Sequence, residues 1–375
     1  MNNTFSSISR LFLILLFLTG LYACIDPYDV SFNQDNKILV VEGLLTNDIE
    51  SPDTIKIRYS VYTDQYIRPE SISSIQASIY LVNSKQAIKL IETGSGNFTP
   101  PSNLKIDPSE KYILKFTLPN NQQYESTPQQ VVSTSPILKA YDTFNPQSKV
   151  SDDGKTFQSA NDVFVDFQDN PSEKNYYLWR TIHYERIEQC ATCNYGVYNT
   201  FTQSCMSVAG SRDASVDYNC EGECYAIFKS SKVNVFSDLA SDGRLITGRL
   251  VAQIPFYYPK GCLVEIQQMC ISPDAYTFYK NLESQLQSTG GLADTPPTAI
   301  VGNINNITNP SEKIVGYFSV ANIQKTRHWV DRTTATGDRA YILGHPVKLP
   351  DDPRAPFAAC KKSATRTPIK PQGWQ

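Results

Sequence analysis

Ile55-Lys56-Ile57-Arg58-Tyr59-Ser60-Val61 decides the fold class. Ile55, Ile57, Tyr59 and Val61 fall on one face of an extended chain and Lys56, Arg58 and Ser60 on the other. Successive strand side chains point to opposite sides, so this period of two marks a strand with one wet face. Ala77, Ile79 and Leu81 repeat the pattern, as do Tyr112, Leu114, Phe116 and Leu118 with Lys111 and Lys115 opposite. Lys37-Ile38-Leu39-Val40-Val41-Glu42-Gly43 precedes them, and Ala87-Ile88-Lys89-Leu90-Ile91 lies between. Gly94-Ser95-Gly96-Asn97 and Pro119-Asn120-Asn121-Gln122 punctuate the runs, because Gly and Asn tolerate positive φ. This density of short strands and turns fits a sandwich of immunoglobulin-like size, about 100 residues, placed at residues 36–135.

Outward from that sandwich, residues 136–160 are rich in Ser, Pro, Asp and Gly and read as a linker. A larger β-rich domain is expected at 161–350, opening on Asp162-Val163-Phe164-Val165-Asp166-Phe167 and Tyr176-Tyr177-Leu178-Trp179-Arg180-Thr181-Ile182. Further strands are expected at 226–236, 245–257, 262–270 and 314–323, and an irregular tail at 351–375. One main helix stands out at about 273–288. Ser272 can cap it, Pro273 fits its first turn and Asp274 meets the positive end of its dipole. Ala275, Phe278, Tyr279, Leu282 and Leu286 line one side at helical spacing. The fold class is therefore all-β or β-rich, a sandwich followed by a second β domain with one helix. The abundance of Tyr, at 22, with 23 Pro and 18 Gly as breakers, agrees.

The formal charge of −3 is spread without blocks, and no Lys/Arg cluster of the density a nucleic acid needs is present. Cysteine is more informative. Of nine, eight follow residue 189: Cys190, Cys193, Cys205, Cys220, Cys224, Cys262, Cys270 and Cys360. An even number in an exported chain reads as disulfides bracing the second domain, with a Cys-rich insert at 190–224. Cys190-x2-Cys193 and Cys220-x3-Cys224 resemble zinc knuckles, but an oxidising compartment favours disulfides, so no metal or other cofactor is assigned. Cys262 and Cys270 lie eight apart in a strand-like run. An extended chain would hold them about 26 Å apart, and a disulfide needs less than about 7 Å. They are expected to pair elsewhere, with the insert as the source of partners.

His183, His328 and His345 show no metal-ligand spacing and read as structural or surface residues. No Gly-x-Ser-x-Gly elbow accompanies them, and no catalytic residue is assigned. Phe256, Tyr257 and Tyr258, followed by Pro259, are the least strand-like aromatics and the expected contact patch. Asp53-Thr54-Ile55 resembles a short O-glycosylation signal of Bacteroidota and serves equally as a strand start.

The amino terminus says where the chain goes. Arg10 precedes the apolar run Leu11–Leu18, and Leu21-Tyr22-Ala23-Cys24 has the form of a lipobox. The run falls short of the roughly 20 residues of a membrane span and fits a cleaved export signal, residues 1–23. Cys24 would then carry the acyl chains, with 24–35 as a tether to the fold.

Ser272-Pro273-Asp274-Ala275-Tyr276-Thr277-Phe278-Tyr279-Lys280-Asn281-Leu282, then Gly290-Gly291, Gly302-Asn303-Ile304 and Glu312-Lys313-Ile314-Val315-Gly316-Tyr317-Phe318, form a recognisable succession. With the Tyr-Tyr-Leu-Trp-Arg strand and the lipobox, it resembles DUF4249, a Bacteroidota lipoprotein family of unknown function. The chain departs from that pattern after the double glycine, where Leu292-Ala293-Asp294-Thr295-Pro296 replaces Phe-Asp-Pro-x-Pro, and Cys360 stands without a Cys-x-x-Cys partner. The resemblance implies an outer-membrane-associated lipoprotein, periplasmic or surface-exposed, encoded beside a TonB-dependent receptor. The expected function is an accessory or ligand-binding partner of that receptor, not an enzyme. A surface hydrolase acting on a polymer and a purely structural envelope lipoprotein are the alternatives.

Overall fold

The computed structural model describes residues 37–375 except 49–51, 64–65, 151–154, 172–173, 209–214, 288–299, 338, 341–349 and 351–354. The export signal, the lipidation site Cys24, the tether and His345 lie outside the described residues. Strand accounts for 55% and helix for 5%, so the chain is all-β as its alternation requires.

The first sandwich is built as the sequence implies and then closed by strands that arrive late. One sheet runs Ile314–Ala321, Ile38–Thr46, Ile55–Thr63, Asn97–Thr99, Ile91–Gly94, with Tyr66–Ser71 also on Ile55–Thr63. The facing sheet runs Ile304–Asn306, Gln123–Ser126, Lys111–Thr117, Gln76–Leu81, Gln86–Lys89. Leu39, Val41, Ile55, Ile57, Ile79, Phe98, Tyr112 and Leu114 meet between them and are fully or almost fully buried. Asn121 at φ 64° and Gly96 at φ 73° take the left-handed turn positions that their side chains allow. A Cβ on Gly96 would lie 2.2 Å from the Ile57 carbonyl oxygen, so that turn admits only glycine.

Ile314–Ala321 pairs in parallel with Ile38–Thr46, and Phe318 and Val320 complete the first core. This strand was expected, but within the second domain. A parallel neighbour needs a long crossover, which a local period of two does not reveal.

The second sandwich packs a three-stranded sheet, Ile137–Val150, Phe157–Gln168 and Leu245–Pro255, on a larger one. The larger sheet runs Ile323–Val330, Cys262–Cys270, Tyr176–Arg186, Tyr225–Lys229, Arg366–Thr367, with Val235–Ser237 also on Tyr176–Arg186. The linker expected at 136–160 is overturned, since Ile137–Val150 is a strand over its whole length. It pairs on one side only, its register breaks between Asn145 and Lys149, and it includes Pro146. An edge strand tolerates proline and polar residues, so it lacks the apolar alternation of a central strand.

Helix Pro273–Gln287 forms as its cap predicts: Ser272 Oγ accepts from the Ala275 amide at 3.2 Å. Its apolar side meets Leu178, Val235, Met269, Tyr317 and Ile323, so it is wedged between the two sandwiches. The tail is not irregular throughout: Arg366–Thr367 adds a short strand to the large sheet, and Trp374 stands edge-on to Trp329 and Tyr225. No helix among the described residues is long and apolar enough to cross a membrane.

Candidate functional site

The disulfide insert supplies the most unusual surface. Its bonds are Cys190–Cys220, Cys193–Cys205 and Cys224–Cys360. Strand Gln189–Asn194 pairs with Ser215–Asn219, and a ribbon of Gly196–Asn199 with Ser204–Ser207 is pinned to them by Cys193–Cys205. Alternation gives the ribbon two faces. Tyr198, opposite Cys205, turns inward against Tyr218 at 5.7 Å. Val197 stands opposite Met206, and the Val208 amide donates to the Tyr195 carbonyl, so these four side chains share the outer face. All four are between 43% and 62% exposed, and Phe201 in the turn is 97% exposed. An apolar ribbon pinned by a disulfide and left uncovered among the described residues is the form of a docking surface.

Of the expected contact patch only the two tyrosines reach the surface, and only in part. Phe256 is buried, edge-on to Phe144 at 5.5 Å, because its amide donates to the Ser159 carbonyl and continues the ladder inward. Tyr257 stacks on Phe228 at 5.5 Å and near His183 at 6.2 Å, and Tyr258 is half-buried.

A cleft of about 580 Å³ lies between the sandwiches, beside the helix. Leu178, Arg180 and Ile182 reach it from one face of Tyr176–Arg186; Phe278, Tyr279 and Leu282 reach it from the helix. Arg180 is held by Asp53 at 2.6 and 3.2 Å and by the Gln267 side-chain oxygen at 3.0 Å, a clamp that joins the sandwiches. Lys56, Lys229 and Lys232 also line it; Lys56 pairs with Glu42 at 3.4 Å. The lining is largely apolar, and its charged side chains are Glu42, Asp53, Lys56, Arg180, Lys229 and Lys232, the first four paired as two ion pairs. It suits a partly apolar ligand that carries negative charge.

The other face of Tyr176–Arg186 holds a buried ionic cluster. Arg332 and Glu185 are 0% and 1% exposed, with Arg332 Nη1 donating to Glu185 Oε2 at 3.0 Å and Nη2 to the Pro255 carbonyl at 3.0 Å. His183 stacks on Phe228 at 4.6 Å, and its Nε2 has no partner. Burial lowers His183 to about 3, helped by the Arg332 charge. Burial also raises the Cys262 thiol well above its usual range and raises Glu185, which Arg332 pulls back. These residue types could do chemistry in a cleft, but here they are buried between two sheets.

Cys262 and Cys270 are unpaired and buried, which overturns their expected disulfides. Cys262–Cys270 is one unbroken strand, so they cannot reach each other. It lies between Tyr176–Arg186 and Ile323–Val330, and both thiols point into the second core, away from the insert. The other six candidates all bond, and Cys360 does pin the tail. His328 pairs with Asp142 at 2.6 Å across the sheets, a structural contact as expected.

His183 gives a pH prediction. Below about pH 6.5 the unfolded chain takes a proton at this residue that the native chain refuses until about pH 3. The stability that neutral His183 confers is complete above 6.5 and is lost as pH falls toward 3. The shift corresponds to a loss on the order of 5 kcal/mol. Urea unfolding of the wild type and His183→Phe at pH 7 and pH 4 checks this, because Glu185 titrates in both and its share cancels. The wild type is expected to lose the more; equal losses would refute the assignment.

A family model described as "Domain of unknown function (DUF4249)" matches residues 25–327. No curated protein and no solved structure matches the chain significantly.

Proposed function

For a chain that belongs to DUF4249, a family whose description names no activity, we propose an envelope lipoprotein that docks an outer-membrane uptake receptor of the TonB-dependent kind. The observation that carries this reading is the apolar outer face of the ribbon, Tyr195, Val197, Met206 and Val208, with Phe201 at its tip. A disulfide-pinned ribbon loses little entropy on docking, so its buried apolar area goes largely into affinity. The lipobox at Cys24 supports an anchor that would hold the ribbon near a membrane partner. The cleft between the sandwiches is the ligand pocket in this reading.

The test is co-purification of the full chain from envelope membranes in mild detergent. The wild type is expected to bring down an outer-membrane receptor, and Val197→Asp with Met206→Asp to lose it at least tenfold. Both positions face solvent, so the variant keeps its fold and its three disulfides. Recovery of no receptor with the wild type, or the same recovery with the variant, refutes the proposal.

A further inference from the structure

Two connections at one end of the second sandwich bring three carboxylates together. Asp169 follows strand Phe157–Gln168, and Asp238 and Asp242 lie between Val235–Ser237 and Leu245–Pro255. One oxygen from each of the three lies within 4.8 Å of the other two. Asp169 and Asp238 are 1% and 0% exposed, and Asp242 faces solvent. Among the described residues no lysine or arginine pairs with any of them.

Neutral donors satisfy only part of this charge. Asp169 Oδ1 accepts from the Tyr177 hydroxyl at 2.5 Å and Oδ2 from the Gly243 amide at 2.8 Å. Asp238 Oδ2 accepts from the Asn175 amide at 2.6 Å. Asp238 Oδ1 is buried with no partner, and so is the side-chain oxygen of the adjoining Asn175. A buried anionic oxygen without a donor is costly, and buried charges are ordinarily paired or bound to a metal. Here the orphaned oxygen belongs to a residue whose carboxylate already converges with two others. An oxygen-only, mostly anionic donor set suits a hard cation. Calcium takes six to eight oxygens at about 2.3–2.6 Å in flexible geometry, with water completing the shell.

We propose that Asp169, Asp238 and Asp242 bind a calcium-type divalent cation, with water completing its shell. The ion would staple the chain where it leaves the small sheet to the turn that returns to it. Gly243 supports the turn: at φ 67°, with Pro171 2.6 Å from where its Cβ would be, it admits no side chain without rearrangement.

The test is calcium titration of the EDTA-stripped full chain by calorimetry, with thermal unfolding in parallel. One site with Kd in the ~10⁻⁵–10⁻³ M range is expected, with a midpoint that rises by several degrees at saturation. Asp242→Asn, at the exposed ligand, is expected to weaken binding at least tenfold and to raise, not lower, the midpoint in EDTA, because it removes one of three converging like charges. Terbium in place of calcium should show emission excited through Tyr177, and Tyr177→Phe should lose it. Absence of both heat and midpoint change up to about 10 mM calcium, or undiminished binding in Asp242→Asn, overturns the proposal.

Discussion

Replacing Arg332 with methionine is expected to cost about 3–5 kcal/mol of stability. Arg332 is 0% exposed, and among the described residues its guanidinium is the one cation paired with the equally buried Glu185. Losing it strands a carboxylate between two apolar sheets, beside the Cys262 thiol and His183. The pair itself contributes far less than this figure, because two ions leave water to form it. Arg332→Met combined with Glu185→Leu is therefore expected to recover most of the loss. Urea midpoints of the wild type, the single and the double variant decide the matter. A double variant as unstable as the single would mean that the arginine acts through packing and its bond to the Pro255 carbonyl.

Serine at both Cys224 and Cys360 is expected to cost about 3–5 kcal/mol in reducing-agent-free solution. The two sulfurs close a sequence separation of 136 residues, and the entropy removed from the unfolded chain grows with loop length. The bond also holds the tail against the insert, where Ala358 bridges to Cys220 and Arg366 donates to the Cys190 carbonyl at 2.6 Å. Early proteolytic cleavage between residues 355 and 375 should accompany the loss, with Trp374 leaving Trp329 and Tyr225. Unchanged midpoint and unchanged protection of the tail would show that docking is driven by Trp374 alone. The Cys193–Cys205 bond spans a separation of only 12 and is expected to matter more for the ribbon's rigidity than for global stability.

The surface proposed for docking was half legible. The sequence pointed to a disulfide-braced second domain, and the insert is where the exposed ribbon lies. It pointed to Phe256, Tyr257 and Tyr258 within that domain, of which Phe256 is buried and the two tyrosines are half-buried. The useful signal was Tyr195-Gly196-Val197-Tyr198 in a cysteine frame, where every second residue is apolar but nothing states which face is covered. The proposed cation site was illegible for a different reason, because Asp169 and Asp238 are unremarkable loop acids until the sheets bring their connections together.

What the chain determined by itself is everything with a short range. Alternation made the strands, Ser272 and Pro273 started the helix, and Asn121 and Gly96 set their turns, because each depends on residues a few positions apart. Tertiary structure alone decided the parallel partner of Ile38–Thr46, the three disulfide pairs, the thiols of Cys262 and Cys270, and the Arg332–Glu185 pair. Those outcomes depend on which sheet faces meet and which side chains lose water together. Distance along the chain does not encode either.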